Sequence, residues 1–385
     1  MKKDIKKIVY IANARIPTEK AHGYQISKMC EQFSDFGYEV ELWLPQRKNK
    51  NGEDIFCFYN IKPNFKIKKV FCLDFFHLER FLGPVSFFIE CISFYFFAFV
   101  RSIFLSRKII IYTRQPIICL LRILFFQVVY ESHSISKREK SFFLITSLAS
   151  KVVTVSSGLK DIFLKRDFKV EKIFVSSDAV DLEVFDIDIG QKDARNKLGL
   201  PEDKYIIVYT GKFKTMGMDK GISDILKSLQ FLSSNIVFLA VGGSLDDINF
   251  YKKEAEELQV LARVIFVEHV SQSELAIYQK GADILLMPFP YNKHYAYYMS
   301  PLKMFEYMSG KRPIIASNLP AIREVLNEEN SFLCQPNNPK DLSDKVTFVF
   351  NNKRLVENVI DRAYQIVKSN TWKKRTEEIL FFIEN

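Results

Sequence analysis

Two lysines and one glutamate in the C-terminal half of this chain are of the right types to hold a phosphorylated ligand. Lys212, Lys214 and Lys220 crowd the segment GKFKTMGMDKG, residues 211–221, which follows a strand-like apolar run and precedes a helical pattern. Ammonium groups at a strand end can neutralise a diphosphate, each acting as a point charge. The GxxxxGK[ST] spacing of a P-loop is absent, and solvated loop lysines give the same string. AVGGSLDD supplies Gly242-Gly243 at another strand end, where backbone can approach a ligand closely. Further on, DILLMPFPYNKHYAYYMSPLKMFEYMSGKRPIIASNLPAIREVL reads as a buried strand, an aromatic loop, a helix, a Gly turn and a second strand. Ser300 is placed to cap that helix and Pro301 to fill its first position, where no amide hydrogen is needed. The free N–H groups of such a helix start favour an anion. Glu306 follows one and a half turns in, and a carboxylate there can accept hydrogen bonds from two neighbouring ribose hydroxyls. Phosphate and ribose recognition together point to a nucleotide-linked substrate. A capped helix bearing an ordinary glutamate has the same spacing, so both readings stand at this point.

Other candidates are weaker by type or setting. NARIPTEKAHGYQ carries no GxGxxG, which argues against a dehydrogenase. Gly23 in that loop lets amides approach phosphate or simply turns the chain. His133, in VVYESHS, stands at a strand end where a cleft is expected, either as a chemical group or as a hydrogen-bonded structural one. Asp186-Ile-Asp188 and Asp246-Asp247 resemble a metal-binding DxD, but both lie in acidic, loop-like stretches and read as solvated carboxylates. No metal is expected. Six cysteines without a CxxC pair read as reduced, buried thiols.

The elements that must position these groups alternate along the chain. KKIVYIAN, YEVELWLPQ, KIIIYTR, VVYESH and KVVTVS read as strands of the first half. KYIIVYTGK, NIVFLAVGG, RVIFVEHV, DILLMPF and RPIIAS read as strands of the second, with helical patterns between. Strands apolar on both faces mean parallel sheets covered by helices on each side. Two doubly wound domains follow, with a junction near residues 182–195 in the loop-like DIDIGQKDAR. Ligands in such sheets bind beyond the carboxyl ends of strands. If the halves face each other, the loops converge on one interdomain cleft.

The 385 residues are 48% hydrophobic, ample for two cores. Residues 1–180 hold 29 Lys+Arg against 17 Asp+Glu, and the remainder 26 against 28, so the net +10 resides in the first half. That asymmetry implies an anionic surface or ligand for the first domain. No nucleic-acid module is present and the basic residues are scattered among Phe, which suits anionic lipid better. The longest apolar run, residues 81–105, could nominally span a bilayer, but Glu90 and Arg101 interrupt it. It reads first as a helix buried in the first domain, second as a helix lying on a lipid surface, and third as a span. The charged start MKKDIKK, followed by a strand-length apolar run, is not read as a signal peptide.

SPLKMFEYMSGKRPIIASNLPAIREVL resembles the donor-site motif of family-4 (group 1) retaining glycosyltransferases. These have the GT-B fold, an α/β architecture of two Rossmann-like doubly wound parallel-sheet domains facing across a cleft. VYTGKF…DKG is similar to the family's basic pair, VFLAVGG to its Gly loop, and VIFVEHVSQSELAIYQKGADILLMP to its base-contacting strand and helix. The resemblance is strong over 205–336, moderate over 125–185 and weak over 40–120. It implies an acceptor-binding domain at 1–185, a nucleotide-sugar domain at 186–370, and a helix at 371–385 packing back toward the first. It also implies transfer without a metal or other cofactor, a UDP- or GDP-linked sugar being the substrate. In that frame Glu306 is the second acid of the E-x7-E motif, Lys212 and Lys220 hold the diphosphate, Gly23 crowds it, and His133 lies near the transferred sugar. Gly242, Gly243, Val267, Tyr298, Met299, Ser300 and Leu302 join Glu306 as donor-binding positions. Tyr298 stands where the first acid of E-x7-E falls.

The expected function is transfer of a sugar to a lipid-linked saccharide during bacterial surface polysaccharide synthesis. The expected location is cytoplasmic, peripheral on the inner face of the cytoplasmic membrane, with no nucleic-acid partner. The alternatives are a GT-B-type nucleotide-sugar epimerase, which the basic half and residues 81–105 disfavour, and a non-catalytic nucleotide-sugar-binding subunit, suggested by Tyr298.

Overall fold

The computed structural model describes residues 6–48, 52–75, 81 and 83–385. The chain forms two units, one of Met1–Ser177 with Trp372–Asn385, the other of Asp178–Thr371. The first unit therefore ends earlier than the expected boundary at 185. The reason is local pairing: the Val180 N–H donates to the Asn370 carbonyl at 3.0 Å, so residues just after Ser177 are tied to the end of the second unit. The DIDIGQKDAR stretch is not a loose junction either. Asp186 pairs with Lys311 at 2.8 Å and accepts from the Tyr364 hydroxyl, and Gln191–Leu198 is a helix ending at Gly199 with φ +63°.

The first unit holds seven parallel strands: β1 Lys7–Ile11, β2 Glu39–Pro45, β3 Lys66–Val70, β4 Ile110–Thr113, β5 Gln127–Ser132, β6 Lys151–Thr154 and β7 Ile173–Val175, in the order β3-β2-β1-β4-β5-β6-β7. The central strands are apolar on both faces because helices cover both, so KIVYI and VVYES lie almost wholly inside. The order reverses between β1 and β4, the switch point at which ligands enter such sheets. PIICLLRILFFQ forms a 3₁₀ helix over Pro116–Leu124.

The helix Pro84–Ile103 has its polarity inverted. Its buried side chains are Ser86, Glu90, Ser93, Phe94, Ala98 and Ser102, which recur every three to four residues on one stripe. Phe88 (62% exposed), Ile92, Phe96 and Ile103 occupy the other side and face outward. The sequence reading of a helix buried in the first domain is thus corrected. What draws the polar stripe inward is Arg47, whose Nε lies 3.2 Å from the fully buried Glu90 carboxylate, with Asn13 also donating to Glu90 at 3.4 Å. The other interrupting charge, Arg101, lies over the Trp43 ring, 4.8 Å from its centroid.

The second unit holds β8 Tyr205–Thr210, a short antiparallel hairpin of β9 Lys214–Thr215 and β10 Met218–Asp219, then β11 Ile236–Gly243, β12 Val264–Glu268, β13 Ile284–Met287, β14 Ile314–Ser317 and β15 Phe332–Cys334. Its six-stranded sheet runs β12-β11-β8-β13-β14-β15 with every pair parallel, so the switch point lies between β8 and β13.

Candidate functional site

The loops that leave β8 and β13 carry the charged residues of the second unit. After β8 the chain turns at Gly211, where φ is +96°. It then passes so close to the end of β11 that side chains there are impossible. A Cβ on Gly242 would lie 2.9 Å from the Gly211 carbonyl carbon, and one on Gly243 would lie 2.3 Å from the Phe213 ring. What approaches the Gly242-Gly243 pair is thus this chain's own loop, whose path the two glycines permit. Residues 211–221 are not a loose turn: the β9–β10 hairpin closes them, and the Lys220 N–H donates to the Phe213 carbonyl at 3.0 Å. The hairpin brings Lys212 and Lys220 near each other. Burial, and then the Lys212 charge, push the Lys220 ammonium down to about 8. Gly221, with φ +99°, anchors the far side: a Cβ there would sit 2.0 Å from the Pro288 carbonyl oxygen, just past β13. Asp219 fixes that corner by accepting from the Gly221 and Ile222 amides at 2.8 and 3.2 Å.

The helix after β13 runs Leu302–Ser309 and is itself mostly buried. Tyr307 pins it below the switch point, its hydroxyl accepting from the Thr210 N–H at 2.8 Å and donating to the Leu286 carbonyl at 3.3 Å. Ser300 does not cap this helix. Pro301 occupies the cap position with extended backbone, and the Ser300 hydroxyl instead accepts the Asp178 N–H at 2.8 Å. The loop is thereby tied to the first residue of the unit. Glu306 is 8% exposed, and no cation lies within ion-pair distance of it among the described residues. Burial pushes its carboxyl up to about 7, against the opposing pull of Lys303 and a hydrogen bond from Gln279.

Lys303 lies on the same helix, three residues before Glu306 and also 8% exposed. Its Nζ is 3.4 Å from the Tyr209 ring centroid and 5.6 Å from that of Phe289. It is buried and makes no hydrogen bond. Burial, with the Lys220 charge adding to it, drives this ammonium well below its ordinary value. The sequence reading passed over Lys303, although a lysine at i, i+3 from Glu306 on an otherwise apolar helix shares its face.

The remaining donor-site candidates have varied settings. Met299 belongs to the second unit's core, and Tyr298, almost as buried, ends the helix Lys293–Tyr297. Leu302 opens the Glu306 helix, and Val267 lies in β12, paired with Val241 of β11. Asp246 and Asp247 lie in the first turn of the helix Leu245–Glu257, with Ser244 accepting from the Asp247 amide. Among the described residues no cluster of His, Cys, Asp and Glu is arranged to hold a metal ion.

Gly23 and His133 belong to the first unit. A Cβ on Gly23 would meet the Tyr59 hydroxyl at 2.1 Å, so this glycine lets Tyr59 cross the start of the helix Ala21–Asp35. His133 follows β5 and puts Nε2 2.6 Å from Glu131 Oε1. Burial first, and then Arg114, push the imidazole down to about 4 against the pull of Glu131. A neutral ring bonded to an ionised carboxylate must carry its hydrogen on Nε2, which leaves Nδ1 as an acceptor. Glu131 itself is fully buried. Arg114 and Arg375 lie 2.8 and 3.1 Å from its Oε1, and Tyr112 donates to its Oε2. These cations outweigh the burial that works against ionisation and hold the carboxyl well below its usual range. Arg375 comes from the helix Trp372–Glu384, so this cluster fastens the returning C-terminal segment into the first unit.

Both parallel sheets have the Rossmann order, and the second carries a basic pair and a buried acid at its switch point. Residues 190–366 match the family model described as glycosyl transferases group 1, and the chain has the GT-B fold. It is 23% identical over 246 residues to an uncharacterized glycosyltransferase of Methanocaldococcus jannaschii, covering 61% of this chain and 60% of that protein. The chain spans about half the length of the curated relatives it matches. Among solved structures, a sucrose-phosphate synthase from Thermosynechococcus elongatus superposes with a TM-score of 0.77 at 17% identity, over 98% of both chains. HepE of Anabaena in complex with UDP superposes with a TM-score of 0.72 at 14% identity, over 98% of this chain and 99% of that one.

Proposed function

We propose that the protein is a retaining, metal-independent glycosyltransferase that takes a sugar from a UDP- or GDP-linked donor and passes it to a lipid-linked saccharide. The observation that carries this reading is the meeting of Lys220, Lys303 and Glu306 at the switch point of the second sheet. The UDP seen in the Anabaena neighbour supports the nucleotide part. In this scheme Glu306, ionised, accepts from the two ribose hydroxyls, and Lys212 and Lys220 face the diphosphate. The bond between the anomeric carbon and the β-phosphate oxygen breaks, and the acceptor oxygen bonds to that carbon on the same face. The acceptor proton passes to a phosphate oxygen, and the nucleoside diphosphate leaves. Charge gathers on the diphosphate in the transition state, so ammonium groups already in place there lower the barrier.

The lipid part rests on the inverted helix Pro84–Ile103 and on the basic first half. Its outward aromatic face continues into Phe81 and Phe104, both more than four-fifths exposed. Such a face lies in the headgroup boundary of a bilayer, and each basic group beside an anionic leaflet adds about 1 kcal/mol. This supports a peripheral position on the inner face of a cytoplasmic membrane and a role in surface polysaccharide synthesis.

The test is incubation with a panel of nucleotide-sugars, EDTA present throughout, with products read by mass spectrometry. Slow release of free nucleotide from one donor, with net retention at the anomeric carbon when acceptor is added, is expected. A changed sugar still attached to its nucleotide would mean an epimerase, and binding without turnover would mean a non-catalytic subunit.

A further inference from the structure

Among the described residues, Lys303 is a buried lysine whose Nζ has no hydrogen-bond partner. An ammonium withdrawn from water costs several kcal/mol unless an anion or hydrogen-bond acceptors compensate it. Here neither does: Nζ is buried, makes no hydrogen bond, and rests on the Tyr209 ring at 3.4 Å from its centroid. A ring face returns only part of the lost hydration. Leu or Met would fill such a site between aromatic rings at lower cost, so the fold itself gains nothing from a lysine.

Its position supplies the reason. Tyr209 belongs to β8 and Phe289 follows β13, so Nζ lies between the carboxyl ends of the two strands that flank the switch point. The Gly211 turn passes it with no side chain in between: a Cβ on Gly211 would come within 3.6 Å of both Cε and Nζ. The Lys220 charge repels it and the Glu306 charge only partly opposes that, while Nζ has no hydrogen-bond partner. An ammonium buried without a hydrogen bond, on which a second ammonium charge acts, suits a polyanion.

We propose that Lys303 is a binding residue for the diphosphate of the nucleotide, its ammonium sharing that anion with Lys220. The proposal rests on the nucleotide-sugar reading above and adds to it a third cation, outside the Lys212 and Lys220 pair. Bound diphosphate supplies the counter-charge that the free protein lacks, and binding thereby relieves the burial cost that folding imposes.

The experiment compares wild type, Lys303→Met and Lys303→Arg by calorimetric titration with UDP, GDP and inorganic pyrophosphate, together with thermal unfolding. Wild type is expected to bind at least one of the three. Lys303→Met should lose at least about tenfold in affinity, the size expected for one charge-assisted contact, while its melting temperature holds or rises. Lys303→Arg should stay within a few-fold of wild type. Should the Met variant fail to fold, Lys303→Gln serves as the uncharged variant. Wild-type affinity in an uncharged variant overturns the proposal and leaves the nucleotide-sugar reading intact. If wild type binds none of the three probes, that reading fails, and the proposal with it. A melting temperature that falls in the uncharged variant with affinity unchanged assigns Lys303 a structural role only.

Discussion

Each unit of this protein buries a group of charges, and the two groups are finished differently. In the first, Glu131 is fully buried but meets Arg114, Arg375, His133 and Tyr112, so every charge has a partner within the fold. In the second, Lys303 is nearly as deep as Glu131 yet its Nζ has no hydrogen-bond partner, and the Lys220 charge acts on it as a further cation. Buried charges cost stability unless paired, so a complete cluster holds structure together while an incomplete one is kept for something that arrives later. The first cluster joins β5 to the C-terminal helix. The second sits at strand ends, where a ligand can complete it.

The comparison breaks most readily at Glu131. Glu131→Ala leaves two buried guanidinium groups without their carboxylate and should cost about 3–5 kcal/mol of unfolding free energy. Urea denaturation measures it, and a loss under about 1 kcal/mol would mean the cluster is not what secures the C-terminal helix. In the second unit the balance should invert. Lys220→Ala and Glu306→Ala should each lower kcat/KM at least about a hundredfold while leaving stability unchanged or improved. Wild-type rates in both would discard the site assignment.

A pH series sharpens the contrast. Donor binding by this scheme needs Glu306 ionised and Lys220 protonated, so kcat/KM should climb through about 7 and fall above about 8. Glu306→Gln should remove the acid limb. The stability linkage has the opposite sense. The folded-state value of Glu306 lies above its unfolded one, so its favourable contribution is full below the ordinary carboxylate range and is lost as pH rises through about 7. For Lys220 the folded value is depressed, so its contribution is full above the ordinary lysine value and is lost as pH falls toward about 8. Unfolding measured from pH 5 to 7 should therefore show wild type weakening relative to Glu306→Gln. A parallel pair of curves would mean that Glu306 is not held out of water.

The smallest expected change in stability belongs to the outward face of the inverted helix. Phe88→Asp touches no packed core and should alter unfolding free energy by no more than about 0.5 kcal/mol. It should nonetheless abolish co-sedimentation with vesicles containing anionic lipid. Equal vesicle binding by wild type and variant, or binding by wild type that high salt leaves unchanged, would remove the lipid role proposed for this face.

The placement of Lys212, Lys220 and Glu306 at strand ends follows from the sequence because each lies within one strand–loop–helix step, where order in sequence nearly fixes order in space. The hairpin that closes residues 211–221 kept Lys212 and Lys220 near each other, as their spacing allowed. Ser300 misled because a Ser-Pro pair reads as a cap, whereas its hydroxyl bonds to Asp178, far away in the chain. Glu131 was passed over although it sits two residues from His133 on a strand, hence on the same face. The helix Pro84–Ile103 departs from the expected burial because hydrophobicity along a sequence does not fix which face turns inward. One buried ion pair, Arg47 with Glu90, turned the polar stripe inward and left the aromatic residues outside.

Composition and periodicity determined that this chain would build parallel sheets with helices on both faces, since doubly apolar strands alternating with helical patterns must be covered on each side. They also pointed to the strand ends as the place for a ligand. Only the tertiary structure decided which charges are satisfied. Pairing depends on contacts such as Glu131 with Arg375, between groups remote in sequence, and on how much water each group loses. Neither can be read along a line of residues, and together they separate a lysine that decorates a helix from one buried without a hydrogen bond.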